Sequence, residues 1–305
     1  MRVLISGATG FIGRALAAHL ISAGHEVVGL TREPRRAARV LPPRVRVVRW
    51  DARTAAGWEG EAAGADAIVN LAGENVMARR WTSERRRALV QTRLDAGRAV
   101  VEGVRSAAGR PVVVLQASGV CFYGRRVDRP VDESAPSGAG FLAEMARQWE
   151  ASTVAVEALG ARRITLRFGA VLGADGGALR RRALPFLLFV GGPIGKGEQF
   201  YPWIHVEDAV RAIYHLMERP DLAGPFNLVA PEAVRMSEFC RELGRALGRP
   251  SWLRIPPAIP RAVLGEMVDE ALLCGQNARP DRLIASGFRF RHSDLRPALA
   301  DLFRR

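Results

Sequence analysis

The chain begins with MRVLISGATGFIG (residues 1–13), and this stretch decides the fold. Residues 3–5 form a short apolar run that is typical of a buried strand. Gly7, Gly10 and Gly13 follow at three-residue spacing, and an amphipathic run begins among them. A strand that turns through glycines directly into a helix points the backbone N–H groups and the dipole of the helix N-terminus at one place, which favours a phosphate. The stretch therefore predicts a dinucleotide-binding turn. The alternative is a glycine-rich turn that only packs a helix on a strand.

On the first interpretation the turn holds the pyrophosphate of a dinucleotide. The glycines permit the tight turn, the close approach of the pyrophosphate and the close packing of helix on strand. The residues that we predict to contact the cofactor here are Gly7, Thr9, Gly10, Phe11, Ile12 and Gly13.

The composition limits the class of protein. The chain has 305 residues, 48% of them hydrophobic, enough for one large α/β domain or two unequal lobes. No apolar run in the sequence reaches the ~18 residues that a membrane-spanning helix needs, and the first strand takes the place of a secretory signal. Cys121, Cys240 and Cys274 are far apart and lack metal-type spacing. We therefore expect a cytoplasmic protein with reduced cysteines, and neither a metal site nor a membrane partner.

The formal charge of +14 raises the question of a nucleic-acid partner. Nearly all the basic residues are arginine, with Lys196 as the single lysine, and they occur as dispersed pairs and triplets such as those at 35–36 and 85–87. The sequence has neither a basic tail nor a strand pattern of basic and aromatic residues. We therefore predict solvated surface charge, part of it used by an anionic cofactor or substrate, and do not expect a nucleic-acid partner.

Apolar and amphipathic runs alternate through the first half of the chain. This alternation predicts an α/β fold with a Rossmann-type, doubly wound parallel sheet, which binds ligands at the carboxyl ends of its strands. After Gly169, glycine-rich loops separate shorter elements. We therefore predict a dinucleotide-binding domain at residues 1–172 and a smaller C-terminal α+β substrate lobe at residues 173–305, interleaved with the first.

The end of the second strand selects the cofactor. NAD-selective folds carry an acidic residue there, which binds the ribose hydroxyls. Here the strand ends in Thr31 and Arg32, with Arg36 just beyond, and Glu33 is the one acid nearby. Guanidinium groups bind a phosphate through charge-assisted, often bidentate hydrogen bonds. We therefore predict NADP(H), with Thr31 at the site and Arg32 and Arg36 on the 2′-phosphate. The alternative is an Arg32 that only faces solvent.

Two further strand ends complete the predicted cofactor site. Asp51 follows the third strand, where an adenine edge would lie. Leu71, Ala72 and Gly73 follow the fourth strand, and small residues there let the backbone approach a cofactor. Glu74 comes next, either on the nicotinamide side or as a base; the alternative is a helix-start carboxylate.

Several motifs resemble those of a known superfamily. The resemblance is to the extended short-chain dehydrogenase/reductases, the superfamily of NAD-dependent epimerases and dehydratases, and within it to the YfcH-like epimerase-family branch. It covers essentially the whole chain, and it implies a Rossmann-type domain, a small C-terminal lobe and bound NADP(H). The motifs that carry it are SGATGFIG (6–13), NLAGEN (70–75), SGVCFYG (118–124), GGPIG (191–195), FYPWIHVEDA (200–209) and GQNARPDRLIASGFRF (275–290).

The chain departs from that superfamily at the catalytic residues. The superfamily moves protons with a Tyr-x-x-x-Lys dyad, in which the lysine lowers the pKa of the tyrosine, and a nearby serine. Counting from Ser118 by the superfamily's usual interval reaches Phe141 and Met145, whose side chains transfer no protons. Gly192 stands four residues before Lys196, so the sequence holds no such dyad.

Ser118 and Tyr123 are the residues that we predict to be catalytic. Ser118 follows the fifth strand, at the sheet edge where reactive groups collect, and its hydroxyl suits a carbonyl or the nicotinamide ribose. Tyr123 is the phenol nearest that edge, and a positioned phenol is an adequate acid. The alternatives are a turn serine and a structural tyrosine.

Four other polar residues are weaker candidates. Glu144 faces either the site or solvent, and Lys196 either reaches an anionic substrate or is solvated. His205 and Asp208 are predicted to form a structural joint rather than a catalytic pair.

The sequence therefore predicts an NADP(H)-binding epimerase or oxidoreductase. Its reaction would be hydride transfer on a small carbonyl or a sugar-nucleotide-like substrate. The alternative, which the missing dyad favours, is a catalytically silent NADP(H) sensor or interaction module. The helices predicted at Ser83–Ala107 and Phe141–Ala158 correspond to those through which related proteins commonly dimerise. The resemblance therefore suggests a homodimer as one arrangement, and the sequence leaves the oligomeric state open.

Overall fold

The fold is built on one parallel sheet. The computed structural model describes residues 1–107 and 111–303, and within these ranges seven strands pair in parallel in the order β10-β7-β5-β4-β1-β2-β3. Two further parallel pairs, β6 with β11 and β8 with β9, lie outside this sheet. The strands are β1 (Arg2–Ser6), β2 (Glu26–Thr31), β3 (Arg46–Arg49), β4 (Ala67–Asn70), β5 (Val113–Gly119), β6 (Arg126–Val131), β7 (Arg162–Phe168), β8 (Ala170–Gly173), β9 (Trp203–His205), β10 (Gly224–Leu228) and β11 (Gly275–Ala278).

Helices cover both faces of the large sheet. They are α1 (Phe11–Ser22), α2 (Pro34–Val40), α3 (Glu59–Ala63), α4 (Ser83–Ser106), α5 (Phe141–Ala151), α6 (Gly177–Leu187), α7 (Val206–Glu218), α8 (Met236–Leu247), α9 (Ala258–Leu264), α10 (Asp281–Ala285) and α11 (Leu295–Phe303). Short 3₁₀ turns lie at Val120–Tyr123 and Val154–Leu159, and a π-helical turn lies at Val268–Leu272.

The strand order places a switch point beside β1. From β1 the chain moves outward to β2 and β3, then returns to pair β4 on the other side of β1 and continues in the opposite direction. In open parallel sheets, ligands bind at the carboxyl ends of the strands beside such a point. The glycine turn at residues 7–10 follows β1 directly, so the predicted Rossmann-type, doubly wound architecture is confirmed.

The alternation of apolar residues along β1 divides the core between two faces. Val3 and Ile5 are buried with residues of α1 and α7, whereas Leu4 is buried with residues of α4 on the opposite face. This is the period-2 alternation of a strand whose two faces are both covered.

Later segments of the chain return to the first domain. Helix α7 packs on α1, and β10 pairs with β7 at the edge of the large sheet. Helices α6, α8 and α11 share a separate apolar core that includes Phe186, Phe239 and Leu299. The predicted domain boundary at residue 172 stays a prediction. The packing of α7 on α1 and the pairing of β10 with β7 are contacts of the kind that two interleaved lobes would make.

The helix predicted at Phe141–Ala158 is wrong beyond Ala151. The Ser152 hydroxyl donates to the Trp149 carbonyl oxygen at 2.7 Å, and a 3₁₀ turn follows at Val154–Leu159. A side chain that bonds the preceding turn competes with the helical ladder. Among the helices within the described ranges, none is both long and apolar enough to cross a membrane.

Candidate functional site

A cavity of about 770 Å³ opens at the carboxyl ends of β1, β2 and β4. Eleven of the fourteen residues that the sequence assigns to the cofactor line it. They are Gly7, Thr9, Gly10, Thr31, Arg32, Arg36, Asp51, Leu71, Ala72, Gly73 and Glu74.

The glycine turn has the geometry of a phosphate cradle. Gly7 has φ +69°, a conformation that favours glycine, and its carbonyl oxygen accepts from the Gly10 N–H at 2.9 Å. A Cβ at Gly13 would overlap the Gly7 carbonyl oxygen and lie 2.8 Å from the Ala8 carbonyl oxygen. Because Gly13 carries no side chain, α1 begins directly above the turn. The N–H groups of the first turn of a helix have no helical acceptors, so they remain for an anion.

The other three predicted residues, Phe11, Ile12 and Gly13, are not among the lining residues. A Cβ on Gly173 or Gly177 would meet the Phe11 ring, which packs against those two glycines. Ile12 packs against the buried core on the α1 side of the sheet. A contribution of these residues to cofactor binding stays a prediction and concerns their backbone N–H groups.

The end of β2 presents two exposed arginines to the cavity. Arg32 forms no ion pair with any described residue, while Arg36 lies 3.6 Å from the Glu33 carboxylate. The Thr31 hydroxyl accepts from the Glu33 N–H at 3.2 Å, which fixes the turn. The Arg32 guanidinium is therefore available to an anion, whereas Arg36 would exchange one anionic partner for another.

Asp51 lines the cavity but is engaged in its own turn. Its carboxylate accepts from the Arg53 and Thr54 N–H groups at 2.7 and 2.9 Å and from the Thr54 hydroxyl at 2.9 Å. Burial acts to raise the pKa of this carboxyl, but the hydrogen bonds from Thr54 and Arg53 outweigh it and lower the pKa. Asp51 is thus an anion at neutral pH that shapes the cavity wall, and its place near an adenine stays a prediction.

A buried polar row fixes the backbone at the end of β4. Ser6 donates to Asn70, Asn70 donates to Gln116 at 2.8 Å, and the Ser6 hydroxyl accepts from the Ala72 N–H at 3.3 Å. This row sets the position of residues 71–73, whose backbone lines the cavity.

Glu74 has two arginine neighbours from α4. Its carboxylate is paired with Arg85, and its carbonyl oxygen accepts from Arg93 at 2.9 Å. A carboxylate held by a buried guanidinium is a poor general base, because the ion pair stabilises its anionic form. Contact with the cofactor, the other predicted role of Glu74, fits its place in the lining.

Several lining residues were not predicted from the sequence. Arg14 lines the cavity one turn beyond Gly10, and its guanidinium donates to the Thr9 carbonyl oxygen at 3.0 Å. The sequence held a signal for Arg14, because a basic residue one turn into the helix after a phosphate-binding turn is placed to contact the phosphate. Gln91, Thr92 and Asp95 of α4 also line the cavity, and only the tertiary packing brings them there.

A second cavity, of about 690 Å³, adjoins the first across the loop after β4. Residues 71–74 line the first cavity, and residues 75–77 line the second. The second cavity lies between the end of β5 and residues of the C-terminal part, including Phe186, Tyr201 and Phe239.

Ser118 and Tyr123 belong to a buried network and not to the linings of these two cavities. The Ser118 hydroxyl donates to the Glu150 carboxylate at 2.7 Å, and the Tyr123 hydroxyl donates to Asn227 at 2.8 Å. Arg167 donates to the Tyr123 hydroxyl at 2.9 Å and pairs with Glu150. Burial raises the pKa of Tyr123, although the Arg167 charge acts in the opposite direction. The catalytic role of both hydroxyls stays a prediction.

The positions of the missing dyad are apolar and packed. The Phe141 ring lies edge-on to Trp81, with centroids 5.1 Å apart, and the Arg86 guanidinium lies 4.4 Å from its centroid. Met145 is buried in the same cluster.

The weaker candidates lie apart from both cavity linings. Glu144 is exposed and binds Arg147 and Gln148, and Lys196 is exposed. The buried Asp208 carboxylate accepts from the backbone N–H groups of 291 and 292 and from Arg211, which ties α7 to the chain's tail. This geometry is that of the structural joint that the sequence predicts.

The tertiary structure also brings together His205, His292 and Asp301, although the sequence shows no metal-type spacing. The two imidazole rings stack with centroids 3.7 Å apart and planes inclined by 25°. Nitrogen lone pairs lie in the ring planes, so those of nearly parallel rings do not converge on one ion. We therefore assign the cluster to packing.

Comparison with known proteins identifies the family. Residues 3–229 match the model of the NAD dependent epimerase/dehydratase family. The chain belongs to this family. The resemblance stated from the motifs is confirmed, and residues 255–302 of this family member also match a domain of unknown function, DUF1731.

Similar proteins span nearly the full chain of this epimerase-family member. It is 37% identical to the epimerase family protein SDR39U1 of Bos taurus, over 99% of each chain. It is 36% identical to the epimerase family protein YfhF of Bacillus subtilis, over 99% of this chain and 98% of that one. The crystal structure of human SDR39U1 with NADPH superposes with a TM-score of 0.87 at 34% identity, over 99% of each chain.

Proposed function

We propose that this protein is an NADPH-dependent oxidoreductase acting on a carbonyl compound bound in the second cavity. The observation that carries the proposal is the shared wall: one loop lines the dinucleotide cavity with residues 71–74 and the second cavity with residues 75–77. A cofactor seated on the glycine turn reaches the substrate cavity with its reactive end only by passing this loop.

The choice of NADPH rests on the end of β2 and on a relative. Arg32 is an exposed guanidinium at the cavity with no anionic partner among the described residues, which suits a 2′-phosphate. The crystallised human relative, 34% identical, contains NADPH. When bound, NADPH supplies a hydride to a carbonyl carbon, and the oxygen takes up a proton.

The chain's own residues supply position and an enclosed environment. The first turn of α1 and the Gly7 turn hold the pyrophosphate, with Arg14 close enough to offset its charge. The buried row of Ser6 and Asn70 holds the loop that lies against the cofactor. Such positioning supplies much of the rate where no strong acid is present.

A second candidate is binding of NADPH without turnover. It is favoured by the apolar side chains of Phe141 and Met145 and by the engagement of the Ser118 and Tyr123 hydroxyls inside the protein. Both candidates require the same cofactor site and differ only in whether hydride leaves the cofactor.

A titration followed by a turnover screen tests the proposal. We expect NADPH, followed by its fluorescence, to bind at least tenfold more weakly to Arg32→Ala, a loss of ~1.4 kcal/mol, and NADH to bind wild type poorly. Arg35→Ala is the matched control, because Arg35 is exposed on the same segment but does not line the cavity.

The screen follows NADPH oxidation in the presence of apolar aldehydes, ketones and oxo acids. Oxidation of NADPH coupled to alcohol formation supports the oxidoreductase. If NADPH binds tightly but none of these compounds oxidises it, the second candidate, NADPH binding without turnover, is supported. If the protein binds neither NADPH nor NADH, both candidate functions are wrong.

A further inference from the structure

The second cavity holds a guanidinium that lacks an anionic partner. Arg182, on α6, lines the cavity and forms no ion pair within residues 1–107 and 111–303. Its polar neighbours include the Met236 sulfur, 3.7 Å from Nη1, and the Tyr201 hydroxyl, and its Cζ lies 4.8 Å from the centroid of the Tyr201 ring. An arginine is charged at any pH in proteins, and a charge in apolar surroundings is normally paired.

Beside it lies the Tyr201 hydroxyl, whose charged neighbour is the same Arg182 guanidinium. Tyr201 lines the cavity and is 6% exposed, and its hydroxyl forms no hydrogen bond of normal geometry with a described residue, although Arg182 lies close enough to interact with it. Phe239 holds the Tyr201 ring, with centroids 4.2 Å apart. Burial raises the pKa of this phenol, although the Arg182 charge acts in the opposite direction, so the group stays an O–H donor. A buried hydroxyl is rarely left without a partner unless a ligand or water supplies one.

Most of the rest of the wall is apolar, and its other polar side chains include the exposed Asn75 and Arg181 and the buried Gln276. Arg181 donates to the Met77 carbonyl oxygen, and Gln276 donates to the Gly124 carbonyl oxygen. Burial raises the pKa of Cys121 to about 12 and those of Cys240 and Cys274 to about 11, so these lining thiols stay neutral. Apolar lining residues include Phe168, Phe186, Ile194, Phe239, Ile255 and Leu264.

This wall does not suit a sugar. Sugar hydroxyls need hydrogen-bond acceptors, and a site built for them leaves its polar groups unpaired with other ligands. No carboxylate occurs among the residues that line the second cavity in the described part of the chain. The sugar-nucleotide-like substrate, one of the two classes that the sequence predicts, is therefore disfavoured against the small carbonyl compound.

We propose that the second cavity binds an apolar carboxylic acid, whose single anionic group is held by the Arg182 guanidinium and the Tyr201 hydroxyl. The apolar walls then contact the hydrocarbon part. Guanidinium and carboxylate form charge-assisted hydrogen bonds that strengthen where water is excluded. The inference rests on the proposed function in one respect: it takes this cavity as the substrate site.

Two probes of equal chain length separate the anionic group from the hydrocarbon. Decanoate and decan-1-ol are titrated calorimetrically into the NADPH-saturated protein. We expect wild type to bind decanoate at least tenfold more tightly than decan-1-ol. The Arg182→Met variant should lose this preference, because its affinity for decanoate falls while its affinity for decan-1-ol is unchanged. Arg180→Met is the matched control, because Arg180 is exposed on the same helix and does not line the cavity, and it should keep the preference.

Tyr201→Phe provides a second route should Arg182→Met fail to fold. It removes the hydroxyl alone and should reduce the preference about tenfold or more, the worth of a hydrogen bond to a charged group. The proposal is overturned if wild type binds the two probes equally or binds neither. It is overturned equally if both variants keep the full preference.

The binding readout stays separate from turnover. If no carbonyl compound in the screen is reduced by NADPH but decanoate binding depends on Arg182, the proposed oxidoreductase is wrong and the proposed anion site is supported. If the protein reduces apolar neutral aldehydes but binds decanoate no more tightly than decan-1-ol, the proposed anion site is wrong and the proposed oxidoreductase is supported.

Discussion

Glu150 and Arg167 form a bidentate ion pair in the protein interior, with Nε to Oε1 at 2.9 Å and Nη2 to Oε2 at 3.0 Å. The Ser118 hydroxyl donates to the same Oε1, and the Tyr123 hydroxyl accepts from Arg167 Nη1. One pair of charges therefore organises both hydroxyls that the sequence assigns to catalysis. A fully partnered buried network of this kind favours a structural role over proton transfer.

Ser118→Ala and Tyr123→Phe test that role. We expect Ser118→Ala to lower the free energy of unfolding by about 1 kcal/mol, because it removes one buried hydrogen bond. Tyr123→Phe should lower it by about 2 kcal/mol, because it removes two, one to Asn227 and one from Arg167. NADPH affinity and any turnover should change little. Chemical denaturation and cofactor titration measure the two effects. A loss of kcat of about 100-fold or more at unchanged stability would instead support the catalytic prediction.

Glu150→Gln should be far more damaging than either. It leaves Arg167 buried without its anionic partner, and breaking a buried pair in this way costs about 3–5 kcal/mol. Glu144→Gln on the same helix is the control, because Glu144 is exposed and pairs with Arg147 at the surface. Equal stabilities of the two variants would contradict the account.

Gly13→Ala tests the close packing of α1 on the glycine turn. The added Cβ would overlap the Gly7 carbonyl oxygen, so we expect a loss of about 1–3 kcal/mol in the free energy of unfolding and weaker NADPH binding. Gly60→Ala on α3 is the control, because a Cβ there would meet no atom within 4 Å. That change should be neutral or stabilise by up to about 1 kcal/mol. A stable Gly13→Ala with normal affinity would rule out the cradle geometry.

Arg93→Met tests the loop between the two cavities. Arg93 donates to the carbonyl oxygens of Leu89 and Glu74 at 2.8 and 2.9 Å, and burial lowers its pKa to about 10, so it stays charged at neutral pH. Its loss frees the loop and should cost about 1–3 kcal/mol in stability and weaken NADPH binding. Arg87→Met, an exposed change on the same helix at a residue that lines neither cavity, should alter neither quantity. If the two variants bind NADPH alike, Arg93 does not position the loop.

His205 should make stability depend on pH. Its Nδ1 accepts from the Glu207 N–H at 3.2 Å and caps α7, which requires an unprotonated Nδ1. Burial and the stacked His292 ring lower its pKa below the ordinary 6.5, although Asp301 acts in the opposite direction. Below about pH 6.5 the unfolded chain binds the proton more readily. The contribution of His205 is thus full above that pH and is lost as the pH falls toward the lowered value.

Asn is a good N-cap without a titration in this range, so His205→Asn isolates the effect. We expect wild type to lose more unfolding free energy than this variant between about pH 7.5 and about pH 5.5. Parallel curves for the two proteins would show that the cap does not titrate.

Local elements were predictable because their hydrogen bonds and periodicity are contained in short stretches. The strand–turn–helix at residues 1–22 follows from its apolar run and glycine spacing, and the structure has it as the strand Arg2–Ser6 and the helix Phe11–Ser22. The helix beyond Ala151 was not predictable from periodicity alone, because a hydroxyl bond from Ser152 to the preceding turn ends it. Most of the cofactor cavity follows from strand ends, since parallel strands bring their carboxyl ends to one edge.

The sequence by itself therefore determined the Rossmann-type sheet, the family, the glycine cradle and the arginines at the end of β2. Only the tertiary structure decided what the polar side chains do. The Ser118 hydroxyl forms a hydrogen bond with Glu150, 32 positions along the chain, and the Tyr123 hydroxyl forms one with Asn227, 104 positions along the chain. Arg182 and Tyr201 meet in an apolar cavity that segments from both halves of the chain enclose. Burial and partnership arise from contacts between distant segments, and no local spacing encodes them.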